Sequence, residues 1–393
     1  MAVTNDVLGF TAGVASAGVK DGTPRRTDVA LIASDRDCAA AGVFTTNEVI
    51  AAPCVVTRKH LEHGRLRGIV VNSGNANACT GEEGERNAIA MAKAAADKIG
   101  CDPHEVAVAS TGVIGVPLPI DRIAAAVSGM VLRAGEWNEV AQAIMTTDTR
   151  PKLQSVKVPL SAGVVHLRGV AKGAGMIHPN MATLLAFVLT DAEVAADELQ
   201  EMLEDAADAS FNLISVDGDT STNDTLLILA NGASGVAPRG DDLKKFGAAV
   251  RGLCETLARE VLADGEGVTK VFEVRVSGAA SAEDARRAAR TITTSNLVKT
   301  AIHGADPNWG RILAAAGRSG AKVDQTKASV HIADVAVFVH GSPRAFDNDA
   351  VRRVFEQRDI TIGVDLGVGS ENAHAWGTDL SAEYVRVNAE YTT

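Results

Sequence analysis

The stretch KGAGMIHPNMATLL, Lys172 to Leu185, constrains the fold more than any other part of the chain. Gly173 and Gly175 permit backbone paths closed to other residues. Pro179 pushes His178 out of the helical region, so the chain runs extended and then turns. Directly afterwards TLLAFVLT is an apolar, β-prone run, so a sharp turn must open into a buried strand. The plainer reading of Thr183 is a buried threonine at the start of that strand. A sharper one starts from its neighbour, the small Ala182. A hydroxyl placed there can attack its own preceding carbonyl and cut the chain, becoming an N-terminal residue. A free α-amine has a pKa of roughly 7.7–8. Nucleophile and base would then come from one residue. Backbone strain of roughly 1–3 kcal/mol per residue, which the glycines permit, is a known feature of such sites.

Strands and helices alternate around this stretch without a clear linker. GIVVNSG (Gly68–Gly74) and VAVASTGVIG (Val106–Gly115) read as strands, the second running into a glycine turn. Thr80 and Glu83 form a capping-box pattern for a helix reaching Lys98, stopped by Gly100, with Ile89, Ala92, Ala96 and Ile99 as its apolar stripe. KHLEHGR, with His60 and His63, reads as an exposed helix end. Leu199, Met202, Leu203 and Ala206 share one helical face. Leu243, Phe246, Val250, Leu253, Leu257 and Val261 mark a longer helix over 242–263, opened by Asp241 and Asp242. KVFEVRVSG alternates like a strand with one buried face, and ASVHIADVAVFVHG, DITIGVDLG and AEYVRVNAEY read as β-runs. The sum is an α/β chain with sheets covered by helices. Aromatics make up only 4% while glycine reaches 37 residues, so the core is built from small aliphatic side chains whose backbones approach closely.

Net charge and cysteine usage narrow the function. At −11 and without a basic patch, the chain is not expected to bind nucleic acid. The five cysteines are odd in number, widely spaced and contain no CxxC pair, so neither disulfides nor zinc are expected. No histidine cluster has ligand spacing, and no metal or cofactor is expected. The first residues lack a basic stretch followed by an apolar run, and no apolar run approaches a membrane span, so a cytoplasmic protein is expected.

Other motifs can carry chemistry. ASTGVIG places Thr111 and Gly112 at a strand end, where a turn can aim donors at a developing oxyanion. NSGNANACTGEEG (Asn72–Gly84) offers small polar donors at a helix start, but it lacks the spacing of a P-loop or a dinucleotide fingerprint. DGEG (Asp264–Gly267) is either a turn or a ligand for an ammonium group. HGADPNWGR (His303–Arg311) is a structural loop or a pocket wall.

Taken in order, FTTN, NSGNANACTG, ASTGVIG, IMTTDT, KGAGMIHPNMATLL, SVDGDTSTNDT, DGEG and HGADPNWGR closely resemble the ArgJ family, the glutamate (ornithine) N-acetyltransferases of arginine biosynthesis. The resemblance runs from Phe44 to the last residue. It implies a DmpA/OAT-type α/β fold, akin in catalytic logic to N-terminal-nucleophile hydrolases. It implies cleavage at Ala182–Thr183 into an α chain (1–182) and a β chain (183–393) that stay together, usually as α2β2, in one two-lobed catalytic unit. Thr183 would take acetyl from N2-acetylornithine and pass it to glutamate. Thr111 and Gly112 would stabilise the oxyanion. Thr146, Thr147, Lys172, Thr183, Glu266, Asn388 and Thr393 would bind substrate. Bifunctional members also take acetyl from acetyl-CoA, and these motifs do not separate the two kinds. His178 stands where the family is expected to vary. The rival readings are an amidase or aminopeptidase with the same nucleophile, and a non-catalytic small-molecule binding protein.

Overall fold

A computed structural model of the chain describes residues 6–178 and 184–390. Strands β1 (Phe10–Ala15) and β2 (Val29–Phe44) are followed by α1 (Ala52–Leu61), β3 (Arg65–Asn75), α2 (Gly81–Ile99) and β4 (Val106–Val113). Helices α3 (Ile120–Gly129) and α4 (Trp137–Ala143) lead to the hairpin β5 (Lys152–Leu160) and β6 (Gly163–Lys172). Next come β7 (Leu185–Thr190), α5 (Ala196–Asp208), β8 (Ile214–Ser215), β9 (Thr225–Ala230) and α6 (Asp241–Ala263). Then follow β10 (Val271–Ala279), α7 (Ala282–Thr293), α8 (Asn296–His303) and α9 (Trp309–Gly317). The last elements are β11 (Ser329–Ile332), β12 (Val335–Val339), β13 (Ser342–Pro343), α10 (Asn348–Phe355), β14 (Asp359–Asp365), β15 (Glu371–Thr378) and α11 (Ala382–Glu390).

The strands form two mixed sheets. The first runs β4-β3-β2-β9-β7-β6-β5, with β1 also paired to β2; the second runs β13-β12-β11-β14-β10-β15-β8. Every residue of β7 and of β9 is buried, because these central strands are covered on both faces. On one face Val188, Ile228 and Val165 pack against Leu199 and Leu203 of α5 and Phe246, Val250 and Leu257 of α6. On the other, Phe187, Leu189 and Leu227 meet Trp137 and Val140 of α4. A continuous apolar run such as LAFVLT is what a strand buried on both faces needs. The second sheet has its own core, with Phe272, Val274 and Val276 packed on Ala288 and Ile292 of α7 and on Ile312 of α9.

Several expectations hold and four fail. Gly100 ends α2 in the left-handed conformation at φ 75°, and Phe272, Val274 and Val276 form the buried face of β10. Thr80 does precede α2, but it makes no capping bond. Its hydroxyl donates to Asn77 Oδ1 at 2.9 Å instead, which leaves the capping box with Glu83 unmade. The apolar stripe of α2 is rotated: Ile89 is exposed, and Ala88, Met91, Ala92, Ala95 and Ala96 face the core. Small side chains there allow the helix to lie close to the sheet. His60 is buried, its Nδ1 2.7 Å from the Val106 carbonyl, and burial lowers its pKa. The described part of AEYVRVNAEY, Ala382–Glu390, is helix α11, not a strand. None of its residues is buried, and Arg386 pairs along the helix with Glu383 and with Glu390 at 2.9 Å. Its alternating valines therefore find no sheet edge, and local i,i+3 and i,i+4 pairing prevails.

Candidate active site

The cavity of interest opens where strand ends of the first sheet converge. Lys172 is the last residue of β6, Thr111 and Gly112 lie near the end of β4, and Leu184 and Asp224 immediately precede β7 and β9. The loop after α6 brings Glu266, and α11 brings Asn388. Thr111, Gly112, Thr146, Thr147, Lys172, Glu266 and Asn388 all line this one space. Seven positions scattered from 111 to 388 thus share a cavity. Ala182, Thr183 and Thr393 lie outside the described residues.

Lys172 organises the inner wall. Its Nζ donates to Thr146 Oγ1 at 2.7 Å and to Thr111 Oγ1 at 3.3 Å. A hydroxyl that accepts from an ammonium keeps its own proton for something else, so Thr111 remains a donor toward the cavity. Behind Lys172, at 3.9 Å, stands the Asp148 carboxylate. Asp148 is also 2.6 Å from the fully buried Lys152, which is itself 2.6 Å from Asp264. Asp264 in turn accepts from the hydroxyl and the amide of Thr149, the latter at 3.0 Å. Burial would raise the Asp148 carboxyl, but the two lysines and the Gly173 amide outweigh it and hold it at about 2. Burial lowers the Lys172 pKa while Asp148 opposes the shift.

Two glycines are required by contact. Gly112 sits at φ 135°, and a Cβ there would lie 2.3 Å from the Gly74 carbonyl carbon on the paired strand β3. A Cβ on Gly175 would lie 2.5 Å from the Glu266 carboxylate. The absence of a side chain at 175 is what lets Glu266 reach the cavity, where Asn388 Nδ2 donates to it at 2.8 Å.

Sequence reasoning gathered Lys172, Thr111, Gly112, Thr146, Thr147, Glu266 and Asn388, and all reach the cavity. It passed over Asp148 and Lys152, which brace Lys172. Their signal was a carboxylate and a lysine four apart beginning inside IMTTDT, a spacing that says little until the first residue of β5 is known to be buried. It passed over Asn223 and Asp224 as well; Asn223 Nδ2 ties the Ala76 carbonyl at 2.6 Å to that of Ser110 at 2.9 Å. The donors of NSGNANACTG are spent internally: Asn72 Nδ2 donates to the Asn75 carbonyl and Asn77 Nδ2 to that of Gly84, both at 2.8 Å. HGADPNWGR runs from the end of α8 into the start of α9, with His303 Nδ1 2.7 Å from the buried Asp379 carboxylate. Among the described residues no group of His, Cys, Asp and Glu could hold a metal, and no helix is long and apolar enough to cross a membrane.

Comparison with known proteins bears on this arrangement. Residues 11–393 match the model of the ArgJ family. The arginine biosynthesis bifunctional protein ArgJ of Symbiobacterium thermophilum is 49% identical over 390 residues, covering 98% of this chain and 97% of that protein. The protein of the same name from Dehalococcoides mccartyi is 48% identical, covering 98% and 96%. A crystal structure of arginine biosynthesis bifunctional protein ArgJ from Bacillus halodurans superposes with a TM-score of 0.50 at 41% identity, covering 52% of this chain and 98% of that one.

Proposed function

The chain belongs to the ArgJ family, and from that premise we propose that it transfers acetyl from N2-acetylornithine to glutamate in arginine biosynthesis. The products are ornithine and N-acetylglutamate. The observation that carries the reading is the convergence of Lys172, Thr111, Gly112, Thr146, Glu266 and Asn388 on one cavity beside the start of β7.

Thr183, two residues before β7 in the chain, is the nucleophile after cleavage at Ala182–Thr183. Its hydroxyl attacks the acetyl carbonyl while its own α-amine takes the proton. Thr111, its oxygen fixed by Lys172, donates to the developing oxyanion together with the Gly112 amide. Ornithine departs, and the glutamate amine then attacks the acetyl-threonine ester. Glu266 pairs with a substrate ammonium, steadied by Asn388. Thr146, Thr147 and Thr393 complete substrate binding, and Lys172 attracts a carboxylate. Acetyl-CoA serves as a second acetyl donor.

The topology suits a cut chain whose pieces stay together. Strand β6 lies before the proposed cut and pairs with β7 beyond it, and β2 pairs likewise with β9. An α chain of 1–182 and a β chain of 183–393 would share one sheet, and such pairs are expected to assemble as α2β2.

Thr183→Ala decides the matter. It is expected to remain a single full-length chain on a denaturing gel and to show no acetyl transfer; two fragments from that variant would remove the nucleophile assignment. In the wild type, labelled acetyl should pass from acetylornithine to glutamate faster than to water, with parallel initial-rate lines. A faster loss to water would make the protein a hydrolase. Incubation with acetyl-CoA and glutamate tests the second donor.

A further inference from the structure

The first half of SVDGDTSTNDT has no part in the mechanism above, yet it grips a piece of the cavity wall. Gly175, Met176 and Ile177 line the cavity. The Asp217 carboxylate accepts from the Met176 amide at 2.7 Å through Oδ2 and from the Ile177 amide at 2.9 Å through Oδ1. Oδ1 also accepts from the Asp219 amide at 3.2 Å. The Val216 amide donates to the Ile177 carbonyl at 2.7 Å, and Thr220 Oγ1 donates to the His178 carbonyl at 2.8 Å. The gripping segment is itself anchored in the second sheet. It continues from β8, which pairs with β15, and the Val216 carbonyl accepts from Nζ of the buried Lys299 on α8.

What is gripped is an unfavourable conformation. Met176 sits at φ 56°, left-handed backbone that a residue with a side chain seldom adopts. Such a residue persists where its surroundings over-determine it. The adjoining backbone packs on Glu266. The Glu266 amide donates to the Ala174 carbonyl at 3.0 Å, and a Cβ on Gly175 would lie 2.5 Å from the Glu266 carboxylate. The path of 174–177 therefore sets where that carboxylate can lie.

Resting on the reading of Glu266 as the partner of a substrate ammonium, we propose that Asp217 is a positioning residue for Glu266. It holds the Met176–Ile177 backbone in the path that leaves the Glu266 carboxylate facing the ammonium of the entering amino acid. A carboxylate suits the task because each of its oxygens takes one of two successive amides, and charge strengthens both bonds. A side-chain amide offers one oxygen and sets an N–H group against the other amide. Asp217 touches no reacting atom. Its influence reaches the substrate through residues 174–177 and then Glu266.

The test measures initial rates of acetyl transfer by purified protein, with folding checked by circular dichroism. In Asp217→Asn the KM for acetylornithine should rise about five-fold, the sign of lost ground-state binding. Turnover and the KM for glutamate, which carries no side-chain ammonium, should stay within about two-fold. A general loosening of the fold would move all three. In a Glu266→Gln background there is no carboxylate left to place, so adding Asp217→Asn should raise that KM by less than about two-fold. Effects that multiply in the double variant overturn the proposal. So does an acetylornithine KM within about two-fold of wild type in Asp217→Asn, or an equal rise for both substrates. Should Asp217→Asn fail to fold, Met176→Val replaces it, because a β-branched side chain disfavours left-handed backbone. It should raise the KM for acetylornithine and spare that for glutamate; an unchanged KM for acetylornithine overturns the proposal as well. Wild type without acetyl transfer, or Glu266→Gln with an unchanged KM, overturns the underlying reading of the site. Transfer by the wild type and an effect at Glu266, with none at Asp217, overturn only the role of Asp217.

Discussion

The two walls of the cavity are built in opposite ways. The inner wall is made of sheet. Lys172 is 7% exposed, sits in register opposite Leu185, and is backed by Asp148, Lys152 and Asp264, all of them buried. The outer wall is a loop and a helix. Glu266 and Asn388 meet in an exposed bond, and α11 buries no residue at all. In the inner wall low dielectric strengthens each charge contact and makes a missing partner costly. In the outer wall water competes, so contacts there are weaker and adaptable. Chemistry that stabilises a transient charge belongs in the first setting, and recognition of an entering amino acid suits the second.

The contrast can be broken, beginning with its largest expected effect. Lys152→Met removes the cation between Asp148 and Asp264 and should cost about 3–5 kcal/mol of unfolding free energy, measured by urea titration. A loss below about 1 kcal/mol would mean that the buried network does not brace the inner wall. Gly112→Ala forces a Cβ into Gly74 and misaligns the proposed oxyanion donor. The turnover number should fall by about 10²–10³, or roughly 2.7–4 kcal/mol, while cleaved chains still accumulate if folding survives. Asp148 comes next. Its folded pKa of about 2 lies below its ordinary 3.8, so the stabilisation is present above pH 3.8 and is lost as pH falls through about 2. At about 1.36 kcal/mol per unit the contribution is about 2 kcal/mol. Between pH 5 and pH 2 the wild type should lose that much more stability than Asp148→Asn. The smallest effects belong to the outer wall. Glu266→Gln should raise KM about ten-fold, which is about 1.4 kcal/mol, with little change in turnover, and Asn388→Ala should do less. A fall in turnover equal to that of Gly112→Ala would erase the distinction between the walls.

Much of this was legible in the chain. LAFVLT, VFEVRV and the helix over 242–263 declare themselves by period and by burial, and the eight ordered motifs mark the family. What misled was surface and cap. AEYVRVNAEY carries a strand-like pattern, but period alone does not say whether a sheet edge is available to pair with it. Thr80 and Glu83 have capping-box spacing, but Asn77, three residues away and turned by the loop, takes the hydroxyl first. Lys152 drew no reading from the sequence, since nothing local tells that two carboxylates, one of them Asp264, more than a hundred residues on, will enclose it.

The amino-acid order by itself determined which chemistry the chain carries: a hydroxyl after a small residue, two glycines that clear space, and a lysine closing a strand. Only the tertiary structure decided which groups surround that chemistry. The pairing of β7 with β9 sets Asp224 beside Leu184, and the packing of β5 and α6 sets Asp148 and Asp264 around Lys152. Side-chain type and spacing are local properties, whereas burial and charge neighbourhood come from segments far apart in the chain, and these govern how an acid or a lysine behaves.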